Sequence, residues 1–187
     1  MSHELHLHKI GPINDCRLTL DSFTILTGPQ ANGKSTAAKA VYFFRSVKQD
    51  ILSIMMQGGP NAVTGDKVST WSTVLKQRMK DKLLQLFGTS WVMPSDMRME
   101  YQYSKDVSIT VSLEEDYNDS SKNYIAIGFS NSIESYLEAL SSHIFTNITP
   151  AQKEHEEKKL NELFDDPFEP VFIPAGRNLL TLLSTQL

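Results

Sequence analysis

The stretch Phe23-Thr24-Ile25-Leu26-Thr27-Gly28-Pro29-Gln30-Ala31-Asn32-Gly33-Lys34-Ser35-Thr36 decides how the rest of the chain is read. Its first four residues form a short apolar run of the kind expected for a strand buried on both faces. Gly28 to Ser35 match G-x-x-x-x-G-K-[ST], the phosphate-binding P-loop or Walker A pattern. Gly28 and Gly33 tolerate positive φ, which lets main-chain amides turn toward a phosphate oxygen. Lys34 has the length to reach the β- and γ-phosphates, the Ser35 hydroxyl is placed to ligate Mg²⁺, and Thr36 lies near the α-phosphate. With Pro29, Gln30, Ala31 and Asn32 completing the loop, residues 28–36 are the expected seat for ATP and Mg²⁺, with Ser35 as the metal ligand. From Lys34 onward, Ala37, Val41, Phe44, Val47, Ile51 and Met55 recur at spacings of three and four, a helix of roughly five turns or more. Its positive dipole end faces the same anion.

On the N-terminal side, Leu5 and Leu7 alternate with His6 and His8 as a half-buried strand does, Gly11 to Asp15 form a turn, and residues 17–20 make a second strand. On the C-terminal side, Gly58-Gly59-Pro60 breaks the long helix and residues 58–67 read as a loop. Trp71, Leu75, Met79, Leu83 and Leu86 predict a second amphipathic helix that ends at Gly88. Residues 97–129 switch to alternation and predict an antiparallel three-strand meander with its first turn at Lys105-Asp106. Ser132 is placed to cap a helix through His143, and Pro150 to open another through Phe164. Val171-Phe172-Ile173 reads as a short buried strand, followed by Pro174-Ala175-Gly176-Arg177 and a helical start.

The chain has 187 residues, of which 40% are hydrophobic and 21% charged, so disorder is excluded and one domain is expected. No run approaches the length of a membrane span and the N-terminus lacks a signal-peptide core, which predicts a soluble cytoplasmic protein with no membrane partner. The sole cysteine, Cys16, has no internal disulfide partner. Charge is uneven: residues 34–86 carry nine Lys and Arg against three Asp and Glu. Such a stretch admits DNA as a partner, although no aromatic residues interleave with it and a solvated helix face is the simpler reading.

The segment from Lys9 to Thr36, KIGPINDCRLTLDSFTILTGPQANGKST, resembles the N-terminus of ATP-binding-cassette-type ATPase heads of the structural-maintenance-of-chromosomes, RecF and OLD group, within the AAA-family P-loop ATPases. VFIPAGR, residues 171–177, is similar to a PAxR stretch in bacterial ATPases of that group. The resemblance implies an α/β P-loop NTPase fold: a head-like N-terminal lobe with a mixed sheet, an antiparallel β-layer and a helical insertion. Residues 1–57 and 165–187 would form the nucleotide-binding core of a single domain, and 58–164 the helical and meander insertion. It also implies ATP sandwiched against a second ATPase head, supplied by a homodimer partner or by a missing C-terminal half. An LSGGQ-like signature, a Walker B strand ending in Asp-Glu and a switch histidine are absent from the sequence. Val107 to Glu115 imitates Walker B, but its alternation is that of a half-exposed strand. Hydrolysis is therefore expected only when a second half or partner completes the site. A self-contained P-loop kinase and a non-catalytic nucleotide-binding regulatory module are the alternatives.

Other residues invite weighing. Gln57 and Gln102 are the candidates for the Gln that contacts Mg²⁺ and water in the similar heads, Arg177 for a γ-phosphate contact, and Asn14, Asp15 and Arg17 for base or ribose contacts. His3, His6 and His8 fit exposed strand faces better than a zinc site, and Asp165-Asp166 with Glu162 and Glu169 fit a solvated acidic turn better than a metal site. Trp71 and Trp91 sit at apolar positions that suit a core.

Overall fold

A computed structural model of the chain describes residues 2–65, 69–88, 93–116, 119–143, 145 and 148–173. Among these residues five strands form one antiparallel sheet in the order β2-β1-β3-β4-β5. They are β1 (His3–Ile10), β2 (Ile13–Leu20), β3 (Arg98–Ser104), β4 (Val107–Asp116) and β5 (Asp119–Phe129). The meander expected over 97–129 is present, and β3 joins it to the N-terminal hairpin by pairing Leu5 with Tyr101 and Leu7 with Met99. The alternation of each strand sends Leu5, Leu7, Met99, Tyr101, Ile109 and Val111 to one face, where all are 1% exposed or less.

Among the described residues six helices accompany these strands in sequence: α1 (Lys34–Arg45), α2 (Val47–Met56), α3 (Pro60–Thr64), α4 (Trp71–Phe87), α5 (Asn131–Leu140) and α6 (Pro150–Leu163). Thr149 caps α6 in a capping box with Gln152, and Pro150 occupies its first turn as expected. Ser130 rather than Ser132 precedes α5, and a short α3 replaces part of the loop expected over 58–67. The long helix is interrupted at Ser46. This buried hydroxyl donates back to the Phe43 carbonyl at 3.0 Å and accepts from Lys82 Nζ at 2.8 Å, a local competition with the helical ladder that bends helices.

Two expected strands are not strands. Residues 23–27 are irregular, with a bend at Phe23, and belong to no ladder, and Phe23 and Ile25 are 80% and 68% exposed. Val171-Phe172-Ile173 is likewise irregular, with Val171 79% and Ile173 72% exposed. A strand apolar on both faces needs ladder neighbours and two covering layers, and the described sheet is antiparallel throughout, so the mixed sheet is not found among the described residues. The helical start after Arg177 lies outside the described residues.

The sequence also misplaced two polar groups. Asp166 is not in a solvated turn: it is 2% exposed and bidentate with Arg45, Nε to Oδ2 at 2.7 Å and Nη2 to Oδ1 at 2.6 Å. Lys48 adds hydrogen bonds to the Asp166 carbonyl and, at 2.8 Å, to Asn161 Oδ1. His3 is not on an exposed face either. It is 6% exposed, with Nδ1 at 2.9 Å from the Tyr101 hydroxyl and Nε2 at 3.2 Å from the Asp165 carbonyl oxygen.

Burial would raise the Asp166 carboxyl, but the hydrogen bonds and charge of Arg45 override it and hold the group below the usual carboxylate range. Burial pushes the His3 imidazole below its ordinary 6.5, with the Asp165 carbonyl opposing in part. Both shifts favour the folded state at higher pH, since in each case the unfolded chain binds the proton more readily. Stability therefore falls as pH drops below about 6.5, the ordinary imidazole value at which the unfolded chain starts to take up the His3 proton, and again below about 4, the ordinary carboxylate value at which the unfolded chain starts to protonate Asp166. His3→Gln is expected to remove the first slope in urea-denaturation midpoints measured from pH 7.5 to 5; an unchanged slope contradicts the assignment. Asp166→Ala leaves Arg45 unpaired and is expected to cost about 3–5 kcal/mol, read in the same assay at pH 7, while Arg45→Met with Asp166→Leu recovers most of the loss.

Candidate functional site

The chain leaves β2 at Leu20, bends at Ser22 and Phe23, and runs without regular structure to Gly28 before the turn that opens α1. Positive φ occurs at Gly28 (146°), Ala31 (63°) and Gly33 (84°), three places within six residues. Such alternation curls a backbone so that successive amides face a common concavity. Gly33 is the left-handed N-cap of α1, and no side chain caps the helix. The first-turn amides of Lys34, Ser35 and Thr36 have no acceptor within the helix.

Position 33 has to be glycine for a second reason. A Cβ there would lie 2.4 Å from Ile13 Cγ1 and 2.9 Å from its Cδ1. The start of α1 thus presses against the first residue of β2, and Ala37 and Ala40, 4% and 0% exposed, continue the close approach. Phe43 and Phe44 are fully buried beyond them. Helix packing therefore fixes where the loop's amides stand.

Lys34 folds back across the loop. Its Nζ donates to the carbonyl oxygens of Gly28 at 2.6 Å and Pro29 at 2.5 Å. The cation is held over the loop by acceptors from the loop's own first two residues, which places a positive charge beside uncapped helix amides. Gln30, Asn32 and Ser35 are placed on the same loop and first turn, with Gln30 and Asn32 exposed.

A cleft of about 590 Å³ opens between this loop and the β1–β2 turn, with Asn14, Asp15, Asn32 and Lys34 among its walls. Asn14 and Asp15, expected in the turn, belong to β2 and line this cleft, while Arg17 is not in the lining. Asp15 is the one acidic residue among the described residues that line the cleft. Its Oδ2 sits 3.1 Å from both His6 Nε2 and His8 Nδ1, and these hydrogen bonds hold its carboxyl below the usual range. His8 Nε2 also lies 3.6 Å from Asp96. Among the described residues no group of three or more His, Cys, Asp or Glu is arranged to hold a metal ion.

The other candidates stand away from the loop. Gln102 is opposite Glu4 in the β1–β3 register, whereas the loop packs at the Ile10–Ile13 end of the hairpin, roughly 20 Å further along the strand. Its amide donates to the carbonyls of Ser104 and Lys105. Gln57 ends α2, bonded to Ser53 and Arg78. Val107 to Glu115 belongs to β4, where Val107, Ile109 and Val111 are buried in alternation. Trp71 is 3% exposed, in the core; Trp91 and Arg177 lie outside the described residues.

The positive stretch 34–86 is largely committed to internal partners. Arg45 and Lys48 meet Asp166, Lys76 meets Glu134 at 3.1 Å, and Lys82 meets Asp50 at 2.5 Å. Among the described residues no helix is long and apolar enough to cross a membrane. Comparison with protein-family models, with curated proteins and with solved structures found no match in any of the three.

Gly33→Ala is expected to cost about 1–3 kcal/mol in urea denaturation, through the positive φ and the collision with Ile13. Adding Ile13→Ala removes both atoms the new Cβ would meet but not the φ, so the double variant should cost less than the sum of the two single variants. Wild-type stability in the single variant would show that α1 does not start against β2.

Proposed function

We propose that the chain is an ATP- and Mg²⁺-binding lobe of an ATP-binding-cassette-type ATPase, with residues 28–36 as its triphosphate seat. The observation that carries this reading is the Lys34 ammonium held at the carbonyls of Gly28 and Pro29 beside an uncapped helix N-terminus. An anion at that point meets a unit charge, first-turn amides and the positive end of α1 together. A strand-to-helix turn with a purely connecting role has no use for a lysine returned to its own loop.

The residues present fit a nucleotide-bound metal in part. Ser35 offers a hydroxyl at the first turn, and Mg²⁺ there would neutralise charge on the β- and γ-oxygens. The Gly28–Gly33 loop would orient the phosphates and Lys34 would compensate the terminal one. What the cleft does not offer is a second acid: Asp15 is the one acidic residue among its described walls and is held by two imidazoles. Phosphoryl transfer to water needs a positioned water, an acid-held metal and charge compensation at the γ-phosphate. The chain alone therefore binds nucleotide with little or no turnover. A second head, whether another copy or a completing half, would supply the remainder across the bound ATP. The paired lysines and arginines of 34–86 argue against DNA as a direct partner of that stretch.

Lys34→Ala is expected to abolish the thermal stabilisation that Mg-ATP gives the wild type, a shift equivalent to about 2.7 kcal/mol at a hundredfold excess over Kd, while apo stability stays nearly unchanged. Equal stabilisation of both proteins would refute the assigned role. Ser35→Ala should leave binding of metal-free ATP intact and remove the extra shift that Mg²⁺ confers. A single-turnover assay on the chain alone should show no phosphate release above background; release at ordinary enzymatic rates would mean that the chain holds its own catalytic acid.

A further inference from the structure

Two cavities adjoin between α2 and α6. One, of about 130 Å³, is walled mainly by Leu52, Met55, Met56, Phe145 and Ile148. The other, of about 260 Å³, has Lys48, Gln49, Glu157, Asn161 and Glu169 in its walls. Leu52, Met56 and Lys153 line both, so the two make one space with an apolar end and a charged end. The acid at the apolar end, Glu156, is already engaged, by the Tyr136 hydroxyl at 3.2 Å and by Lys159 Nζ at 2.8 Å. Among the described residues of α6, Leu160 alone is buried, so most of that helix is free to border a ligand.

The charged end is only partly neutralised by the chain itself. Lys48 is committed: its ammonium donates to Asn161 Oδ1 at 2.8 Å and to the Asp166 carbonyl. Lys153, Glu157 and Glu169 make no hydrogen bond or ion pair among the described residues, although both acids lie close enough to Lys48 to act on its charge. Gln49 lines the same end, and its Nε2 is buried with no hydrogen-bond partner among the described residues. Buried donors in folded chains are as a rule paired, and this one is left for an acceptor that the chain does not supply.

These features narrow the occupant. A free cation and an unpaired amide donor suit a carboxylate, and two free acids suit an ammonium, so charge complementarity asks for both signs in one molecule. The apolar end suits a hydrocarbon or thioether group, and its two methionines can adapt to either. Its volume is well below the roughly 300–1,000 Å³ of pockets that take drug-sized ligands, so it holds one side chain rather than a lipid tail.

We propose that the space between α2 and α6 binds a free α-amino acid with an apolar side chain of the leucine or methionine kind. The side chain lies against Leu52, Met55 and Phe145, the carboxylate meets Lys153 and Gln49, and the ammonium meets Glu157 and Glu169. The site is separate from residues 28–36 and holds whether or not that loop takes nucleotide.

Isothermal titration calorimetry of the full chain with L-leucine and L-methionine tests it, with N-acetyl-L-leucine, L-leucinamide and octanoate as comparisons. The amino acids should bind saturably, and blocking either ligand charge should weaken binding by about tenfold. Lys153→Met and the pair Glu157→Gln with Glu169→Gln alter exposed positions, so urea midpoints should match wild type. Lys153→Met should take leucine and leucinamide alike while still rejecting N-acetyl-leucine, and the double acid variant should do the reverse. No heat above dilution from either amino acid at millimolar concentration overturns the proposal. Octanoate or the blocked analogues binding as tightly as leucine would overturn it too, by showing that the space does not read a zwitterion.

Discussion

One helix carries the positional information of this molecule. The Ala37–Ala40–Phe43–Phe44 face of α1 is buried against the sheet, at about 1.5–3 kcal/mol for each phenylalanine so removed from water. Phe44 stacks on Tyr101 of β3 at 5.3 Å with the ring planes 24° apart, and the Tyr103 hydroxyl donates to the Phe44 carbonyl at 2.5 Å. At its start, the lack of a side chain at Gly33 lets the helix meet Ile13. Where the loop 28–33 sits depends on that contact. Loosening the aromatic end would be felt at the loop, a helix length away.

The C-terminal end of the same helix is fastened electrostatically. Arg45 closes a fork on Asp166, and Lys48 in the next helix reaches the carbonyl of the same residue. Buried pairs of this kind add little net stability over apolar replacements but penalise any arrangement in which one partner is alone. Here they fix the turn after α6 against the α1–α2 junction, and so set where Phe168 to Ile173 run. The uneven charge of the sequence acquires a meaning in this light. Arg45 and Lys48 of the positive stretch 34–86 meet Asp166, Lys76 meets Glu134 and Lys82 meets Asp50, so part of the charge that is uneven along the chain is neutralised in space.

What the sequence made legible was local. Period-two alternation located all three strands of the meander, apolar spacing and the closing Gly88 located α4, Pro150 located α6, and the glycine spacing located a loop that ends on a helix. Long-range polar contacts left no such trace: nothing in the residues around Asp166 points to Arg45, 121 positions earlier, and nothing near His3 points to Tyr101. The opposite failure occurred at Phe23–Leu26 and Val171–Ile173. Their composition describes a two-sided burial that the described part of the structure satisfies on one side only, through α1. Apolarity reports how much cover a segment needs and is silent about which element provides it. At the loop itself, the return of Lys34 to Gly28 and Pro29 and the contact of Gly33 with Ile13 required coordinates.

If the amides and the ammonium at the head of α1 form a seat for a triphosphate, a crystal structure with magnesium and a non-hydrolysable ATP analogue shows it most directly. The expected result places the β-phosphate within hydrogen-bond distance of the main-chain nitrogens of residues 31–35, Lys34 Nζ on the phosphate oxygens, and Ser35 on the metal. Phosphates bound at another surface, or an analogue absent at saturating concentration while the loop keeps its conformation, would contradict it.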